Sequence, residues 1–553
     1  MIKQGSKSII ARMIGNKVVK STYKGALLVY QAFKEYIVKG VFPLKLEKSS
    51  GKDLTNYKIE GNSVQEGTPT TENPIEIESV GDKTSNFADL SKAVAMTTTP
   101  HVKFDYNNIA GSLILTSTPT AYDYVAIYPK DVGLKFEEGK TYYFGADVTV
   151  NGKTTTDKYT AVGYRIKYSG NSMSGIYVNK NGVYHVSDTF TYTGQTDIYL
   201  ALFFNYGSQE PTQVRFDNIY WGEVDEFEPC GYKIPVKTSG KNLIPNIFTS
   251  ETKNGITLDV NDDGTLHVYG KATADTIFNP RIYNLPPNTY FLSGCPSGGS
   301  NSTYRLLAYF VNPKYNLIEY GEGNGYTLSD TTDVIIEVKV YNGTTVDLIY
   351  KPMLEVGTVG TEYEPYQEPV TTNIYLNEPL RKISYRDEIY QDVLNYKDKK
   401  VVRNICSEFI TSIFNKSSTV GTYGIFLSEI SNKPKMQNDY AGLCISSKFV
   451  MHTVNGFIGS YVDLTENGGH IQTYITSGGL NRVAYSFNDS SIKTVEQGQE
   501  KIGDGFEVCY LLATPIEETI ELPSIPTLEG TTILDSDVTV KPIYVEVEYT
   551  GKP

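Results

Sequence analysis

Apolar positions along this chain recur mostly with a period of two, in short runs separated by Gly, Asn, Asp and Pro. That spacing puts alternate side chains on opposite faces of an extended backbone, so it predicts β-strands with one face toward a core. The clearest run is KTYYFGADVTV at 140–150, introduced by the turn residues Glu137, Glu138 and Gly139. Further strands are read at 161–168, 197–204 and 214–221. A hairpin is read at 255–270, where GITLDV and TLHVYG flank a turn at Asn261 to Gly264. Short strands with turn residues about every ten positions predict two-sheet sandwiches, so the fold class is mainly β.

The same punctuation divides the chain. Residues 1–40 hold two β segments around Gly15 and Asn16, then a segment at 26–38 that suits a strand or a short helix. So short a piece buries little by itself, and it reads as an anchor that docks on a partner. Residues 41–85 read as a linker with short strands, where Ile75 and Ile77 alternate with Glu76 and Glu78. Residues 86–237 and 238–370 read as two jelly-roll-like β-sandwiches in tandem. Their ends match: Glu223 and Val224 precede Phe227-Glu228-Pro229, and Glu355 and Val356 precede Tyr363-Glu364-Pro365, about 135 residues on. This is an internal repeat at domain scale. Residues 371–553 read as a C-terminal β domain for oligomerisation or receptor contact. Its tail, 531–549, alternates apolar and polar positions, with Val538, Val540, Ile543, Val545 and Val547 as the dry ones. Such an edge either invites a homo-oligomer, with a trimer favoured, or completes the chain's own sheet.

Composition agrees with this picture. The chain has 44 Tyr against one Trp; Tyr and Thr suit half-buried pleats, while Gly and Asn suit the turns between them. A formal charge of -13 repels phosphate backbones and argues against a nucleic-acid partner. The first forty residues reverse the sign, with eight Lys and Arg against Glu35 alone. Without aromatic residues arrayed for stacking, that patch suits an acidic partner protein better than a nucleic acid. The five cysteines, at 230, 295, 406, 444 and 509, form neither a disulfide framework nor a zinc site, and reduced thiols fit assembly in a cytoplasm. The opening MIKQGSKSIIARMIGNK lacks the apolar core of a signal peptide, and no stretch reaches transmembrane length, so no membrane insertion is read.

Catalytic patterns are missing. The five His, at 101, 185, 267, 452 and 470, are scattered without metal-ligand spacing, and no GxSxG elbow, P-loop or dinucleotide fingerprint occurs. The piece GCPSGGS at 294–300 has the look of a nucleophile loop, but no helix follows it and no His is near, so it reads as a sandwich loop. The acidic neighbours Asp262-Asp263 and Glu137-Glu138 fall in turns. The chain therefore reads as no enzyme, with no catalytic residue. Trp221 and Tyr-rich loops offer flat faces for sugar rings, although most Tyr in a β protein packs across strands, and no ligand-binding residue is named.

Several segments resemble known proteins. GNSVQEGTPTTENPIEIESVG (61–81), EYEPYQEPVTTNIYLNEPLRK (362–382) and YLLATPIEETIELPSIP (510–526) resemble motifs of tail, baseplate and fibre proteins of phages that infect gut bacteria. The opening, MIKQGSKSII through YKGALLVYQA, resembles the amino terminus of virion proteins from crAss-like phages. EGKTY at 138–142 and RFDNIY at 215–220 resemble strands of carbohydrate-binding jelly rolls. The resemblance implies a phage virion structural protein: a tail fibre or baseplate component displaying β-sandwich modules for host-surface attachment, without bond chemistry. It implies assembly in the host cytoplasm, docking to other virion proteins through residues 1–40, and a host-surface glycan or protein as receptor. In such jelly rolls a carboxylate on the last strand often ligates a structural calcium, which points to Asp217; a surface or turn carboxylate is the alternative, and no other cofactor is implied. Rival readings are a head fibre or capsid-decorating protein, a carbohydrate-binding adhesin, and a polysaccharide depolymerase. The last would need two carboxylates flanking the scissile bond.

Overall fold

The computed structural model describes residues 12–14, 17–24, 27–31, 44–47, 57–64, 68–95, 102–117, 123–132, 134–151, 162–168, 171–172, 176–178, 181–204, 213–223, 227–385, 388–420, 423–430, 444–451, 469–476, 480–487, 489–525, 531–535 and 540–542. By internal packing the chain divides into two units. One comprises 1–58, 235–372 and 523–553; the other comprises 59–234 and 373–522. The breaks in the middle of the chain fall at Pro235 and just after Thr372, close to where the two repeated endings run out. Nearly every element is a strand, as the period-two pattern predicts.

In the first unit, Arg12–Ile14, Lys17–Lys24 and Leu27–Gln31 form a small antiparallel sheet. Of the third segment, for which the sequence allows strand or helix, the described residues Leu27–Gln31 are thus a strand. The body of this unit is the second sandwich. Glu251–Lys253, Ile256–Val260, Leu266–Lys271 and Thr345–Tyr350 make one sheet. Thr276–Phe278, Thr332–Val340, Tyr304–Phe310 and Tyr315–Glu319 make a second, joined by Arg281–Leu285, and Asn324–Leu328, Asn288–Ser293 and Met353–Val356 make a third. Thr332–Val340 buries every second side chain from end to end, which is the pleat read directly from the sequence. The core draws on all three sheets, through Leu258, Leu292, Phe310, Val338 and Tyr350, all buried. The predicted hairpin is present, with the Gly264 N–H donating to the Asn261 carbonyl at 2.9 Å.

Thr531–Asp535 lies antiparallel to both Leu44–Glu47 and the end of Tyr232–Ser239. The start of the alternating tail is therefore an interior strand of its own chain's sheet. Val540 opens the short strand Val540–Pro542, while Val538, Ile543, Val545 and Val547 lie outside the described residues.

The second unit contains the first sandwich. Val102–Asn107, Ser112–Ser117, Gln213–Gly222, Thr141–Asn151 and Gly182–Thr191 make one sheet in that order. Val162–Tyr168, Tyr199–Phe204, Asp123–Ile127 and Val94–Ala95 make the other, extended by Asn171–Ser172 and Ile176–Val178. From Ser112 onward successive long strands alternate between the two sheets, which is the jelly-roll arrangement. The core between them is aromatic at one end: Phe136 meets Tyr142 edge-on at 4.8 Å and lies 5.9 Å from Trp221. Burying each such ring contributes about 1.5–3 kcal/mol.

The remainder of this unit is the C-terminal β region. Lys400–Ile410 runs beside Phe506–Thr519, and a second sheet is built on Tyr423–Ile430 and Asn481–Ser486. One helix, Val495–Ile502, has a capping box between Thr494 and Gln497. The stretch around Ile77 is bound into this unit, since Ile77 packs with Ile383, Ile405 and Leu511. The fully buried Asp392 accepts from the N–H groups of Arg381 (3.0 Å), Asn404 (2.8 Å) and Ile405 (3.1 Å) and faces Arg403 at 3.5 Å. Arg403 also donates to the carbonyls of Pro379 (2.7 Å) and Glu378 (2.9 Å). The NEPLRK stretch at 377–382 is thus part of a buried polar network centred on Asp392, in which the Nε atoms of Arg381 and Arg403 make no hydrogen bond among the described residues.

Candidate functional site

Each sandwich is closed by an asparagine. The Asn86 Nδ2 donates to the carbonyls of Ile219 (2.8 Å) and Glu228 (2.7 Å), and its Oδ1 accepts from the N–H groups of Ala88 (2.9 Å) and Trp221 (3.0 Å). In the second sandwich the Asn242 Nδ2 donates to the carbonyls of Pro352 (3.2 Å) and Glu364 (3.1 Å), and its Oδ1 accepts from the Ile244 N–H (3.0 Å). The glutamates of the repeated endings complete the clasp. Glu228 accepts from the N–H (3.0 Å) and hydroxyl (2.8 Å) of Ser85 and from the Lys233 Nζ (2.9 Å). Glu364 accepts from the N–H (2.8 Å) and hydroxyl (2.9 Å) of Thr531 and lies 3.0 Å from the Lys241 Nζ. Burial raises both carboxyls, but these donors together outweigh it and hold both below the ordinary carboxylate value. The aromatic-Glu-Pro repeat is therefore a closing device.

A cleft of about 590 Å³ opens in the second sandwich, within the ~300–1,000 Å³ range of small-ligand sites. It forms where the chain leaves the edge strand Tyr315–Glu319 and crosses to the edge strand Asn324–Leu328 in another sheet. Residues 320–323 supply one wall, and Ser297, Gly298 and Gly299 supply the other. One buried carboxylate holds the walls together. Glu319 accepts from the Cys295 N–H (2.6 Å) at the base of one loop and from the N–H groups of Gly321 and Gly323 (2.9 Å) in the other. The loops approach so closely at Gly321, where φ is +121°, that a Cβ there would lie 2.5 Å from the Ser297 Cα. Only glycine fits that backbone and that space. The Tyr320 hydroxyl is fixed on the Asn301 side-chain oxygen, and the Asn324 Nδ2 donates to the Ile318 carbonyl at 3.0 Å. Asn316 and Glu322 also line the cleft, both exposed.

The residues singled out by sequence fall elsewhere. Trp221, offered as a sugar platform, is fully buried in the first sandwich's core; its ring is consumed by packing, because it lies on the inward register of its strand. Asp217 lies on the outward face of that same strand, paired with the Arg215 Nε at 2.7 and 2.9 Å. Among the described residues no group of three His, Cys, Asp or Glu is arranged to hold a metal ion. Beside Asp217 in the sheet, Asp147 accepts from Asn218 (2.7 Å) and pairs with His185 (2.8 Å), which hold its carboxyl below the ordinary value, His185 foremost. His267 is on an outward face as well, 2.7 Å from Asp347.

The GCPSGGS loop is indeed a sandwich loop, and it forms a cleft wall. Its Cys295 thiol is pushed up to about 12, chiefly by burial and further by the Glu319 carboxylate, so it is held as the protonated, unreactive form. Asp263 spends its carboxylate on the N–H (3.0 Å) and hydroxyl (2.6 Å) of Thr265 in the hairpin turn. Sequence reading missed Asn86, Asn242, Glu319 and Asn316. The signal for the two asparagines was the SNF and KNL openings, at 85–87 and 241–243, each upstream of a repeated ending. Nothing local marks Glu319, whose role depends on two loops brought together by the fold.

No protein-family profile matches the chain, and no curated protein matches it. Among solved structures it is similar to the N-terminal CBM22-1–CBM22-2 tandem domain of Xyn10C from Paenibacillus barcinonensis, at 11% identity over 53% of this chain and 98% of that one, with a TM-score of 0.19. It is also similar to a triple jelly roll protein of the turret assembly in an archaeal virus, at 11% identity over 85% of this chain and 98% of that one, with a TM-score of 0.14. Similarity at that level adds nothing to the sheets and cores above, which establish the fold by themselves.

Proposed function

We propose that this chain is a non-enzymatic attachment protein of a phage virion, a tail fibre or baseplate component whose second sandwich presents its cleft to the host surface. The cleft carries the reading. Its walls are fixed in advance by Glu319, so little ordering is lost when a ligand enters. Its lining offers amide, carboxylate, hydroxyl and one aromatic ring, which are groups for recognition. The thiol nearest to it is held protonated by burial. Anchoring through residues 1–40 belongs to the same proposal, motivated by the basic patch; assembly as a trimer is motivated only by the alternating positions beyond Asp535, since Thr531–Asp535 is paired on both sides within its own chain.

The test uses the full chain. Labelled protein should bind intact host cells and compete with particles for adsorption, and the Asn316→Ala/Glu322→Gln double variant should lose most of that binding. An antibody to the chain should decorate the particle in electron micrographs. Release of reducing ends from host polysaccharide would instead establish a depolymerase, and absence of the chain from particles would end the virion reading.

A further inference from the structure

We infer that the cleft of the second sandwich takes the last unit or two of a neutral or amino-bearing glycan and discriminates against acidic sugars; this deepens the attachment reading and rests on it. Two lining side chains keep their hydrogen-bonding capacity. Asn316 and Glu322 are exposed, and neither is engaged by another described residue. A carboxamide and a carboxylate lining one cleft offer both donors and acceptors, which is what neighbouring sugar hydroxyls require. Ile318 and the Tyr320 ring add apolar surface suited to the C–H face of a pyranose. Tyr320 cannot swing freely, because its hydroxyl is tied to Asn301.

Charge selects within that class. A sugar carboxylate entering the cleft meets Glu322, on a chain of net charge -13, and two like charges about 6 Å apart at intermediate dielectric weaken binding about tenfold. An ammonium sugar would answer Glu322. Its ammonium adds that attraction to the contacts with Asn316, the Ser297 hydroxyl and the apolar lining that a neutral sugar also makes.

Saturation-transfer NMR and calorimetry on the full chain, with N-acetylglucosamine, galactose, glucosamine and glucuronic acid as probes, test this. The neutral sugars should bind, and glucuronate should bind about tenfold more weakly at low salt, with the gap narrowing as salt screens it. Asn316→Ala should weaken the neutral sugars about tenfold, and Glu322→Gln should raise glucuronate toward them. Both positions are exposed and unengaged, so both variants should keep the parent's circular dichroism and melting profile. Glucuronate binding as tightly as the neutral sugars, glucosamine binding no more tightly than glucuronate, unchanged neutral binding in Asn316→Ala, or no sugar binding at all would each overturn the inference. Host-cell binding that persists without sugar binding removes only this inference; loss of both removes the attachment reading too.

Discussion

The two sandwiches share a way of closing and differ in what they display. Asn86 with Glu228, and Asn242 with Glu364, make the same clasp from the same atoms. In the first sandwich the hydroxyl and N–H that cap the glutamate come from Ser85, the neighbour of the asparagine; in the second they come from Thr531, far downstream. The first fills its core with Trp221, Phe136 and Tyr142 and presents a hydrogen-bonded network of Asp147, His185 and Asn218 on an outward sheet face. The second has a more aliphatic core and puts its concavity in glycine-rich loops. A sandwich can thus keep its closing chemistry while the shape of its loop surface is set independently, because clasp and loops draw on different residues.

The largest effect should come from the cores. Trp221→Ala should cost about 3–5 kcal/mol, the usual range for deleting a buried ring, and Phe310→Ala should cost about as much. Hydrogen exchange read by mass spectrometry should assign the first loss to peptides within 86–222 and the second to peptides within 242–356. Protection falling equally in both sandwiches for either variant would show that they do not unfold as separate modules.

The clasps come next. Asn86 makes four hydrogen bonds and Asn242 three, so alanine leaves more buried groups unsatisfied in the first. Asn86→Ala should cost about 3 kcal/mol and Asn242→Ala about 2 kcal/mol, read by the same exchange measurement. The reverse order would mean that the two clasps are alike only in geometry.

Acid should loosen both clasps together. Glu228 and Glu364 titrate below their ordinary value of 4.5 when folded. Their contribution is therefore complete above that value and is lost as the pH falls through the depressed folded value. Exchange protection at Ser85 and at Thr531 should drop over the same acid range, and Glu228→Gln should remove most of the pH dependence at Ser85 alone.

Smaller effects separate the two modules further. Thr531→Ala should cost about 0.5–1.5 kcal/mol, the worth of one hydrogen bond, and should loosen only the second sandwich, visible as faster exchange near Glu364. Asp147→Asn, on the exposed face of the first, should change stability by a few tenths of a kcal/mol once solvent screening is counted. A large loss there would mean that the outward network holds the sheet together.

Sequence alone determined the local grammar of this protein. Period-two runs located strands such as Thr141–Asn151 and Thr332–Val340, because a pleat exposes alternate side chains whatever the surroundings. Turn chemistry placed the Asn261–Gly264 hairpin, and the aromatic-Glu-Pro repeat marked the two clasp glutamates, Glu228 and Glu364. The helix Val495–Ile502 was legible in its Thr494–Gln497 capping box, and the reading of β structure throughout passed over it. What only the tertiary structure decided is which face each residue shows and which distant groups meet. Trp221 turned inward and Asp217 outward although they stand four apart on one strand, because a β-bulge between them, where Asn218 takes φ +51°, shifts the alternation by one residue. Glu319 became the centre of a cleft because a buried carboxylate must find donors, and the fold delivered three N–H groups from two loops that the sequence keeps more than twenty residues apart.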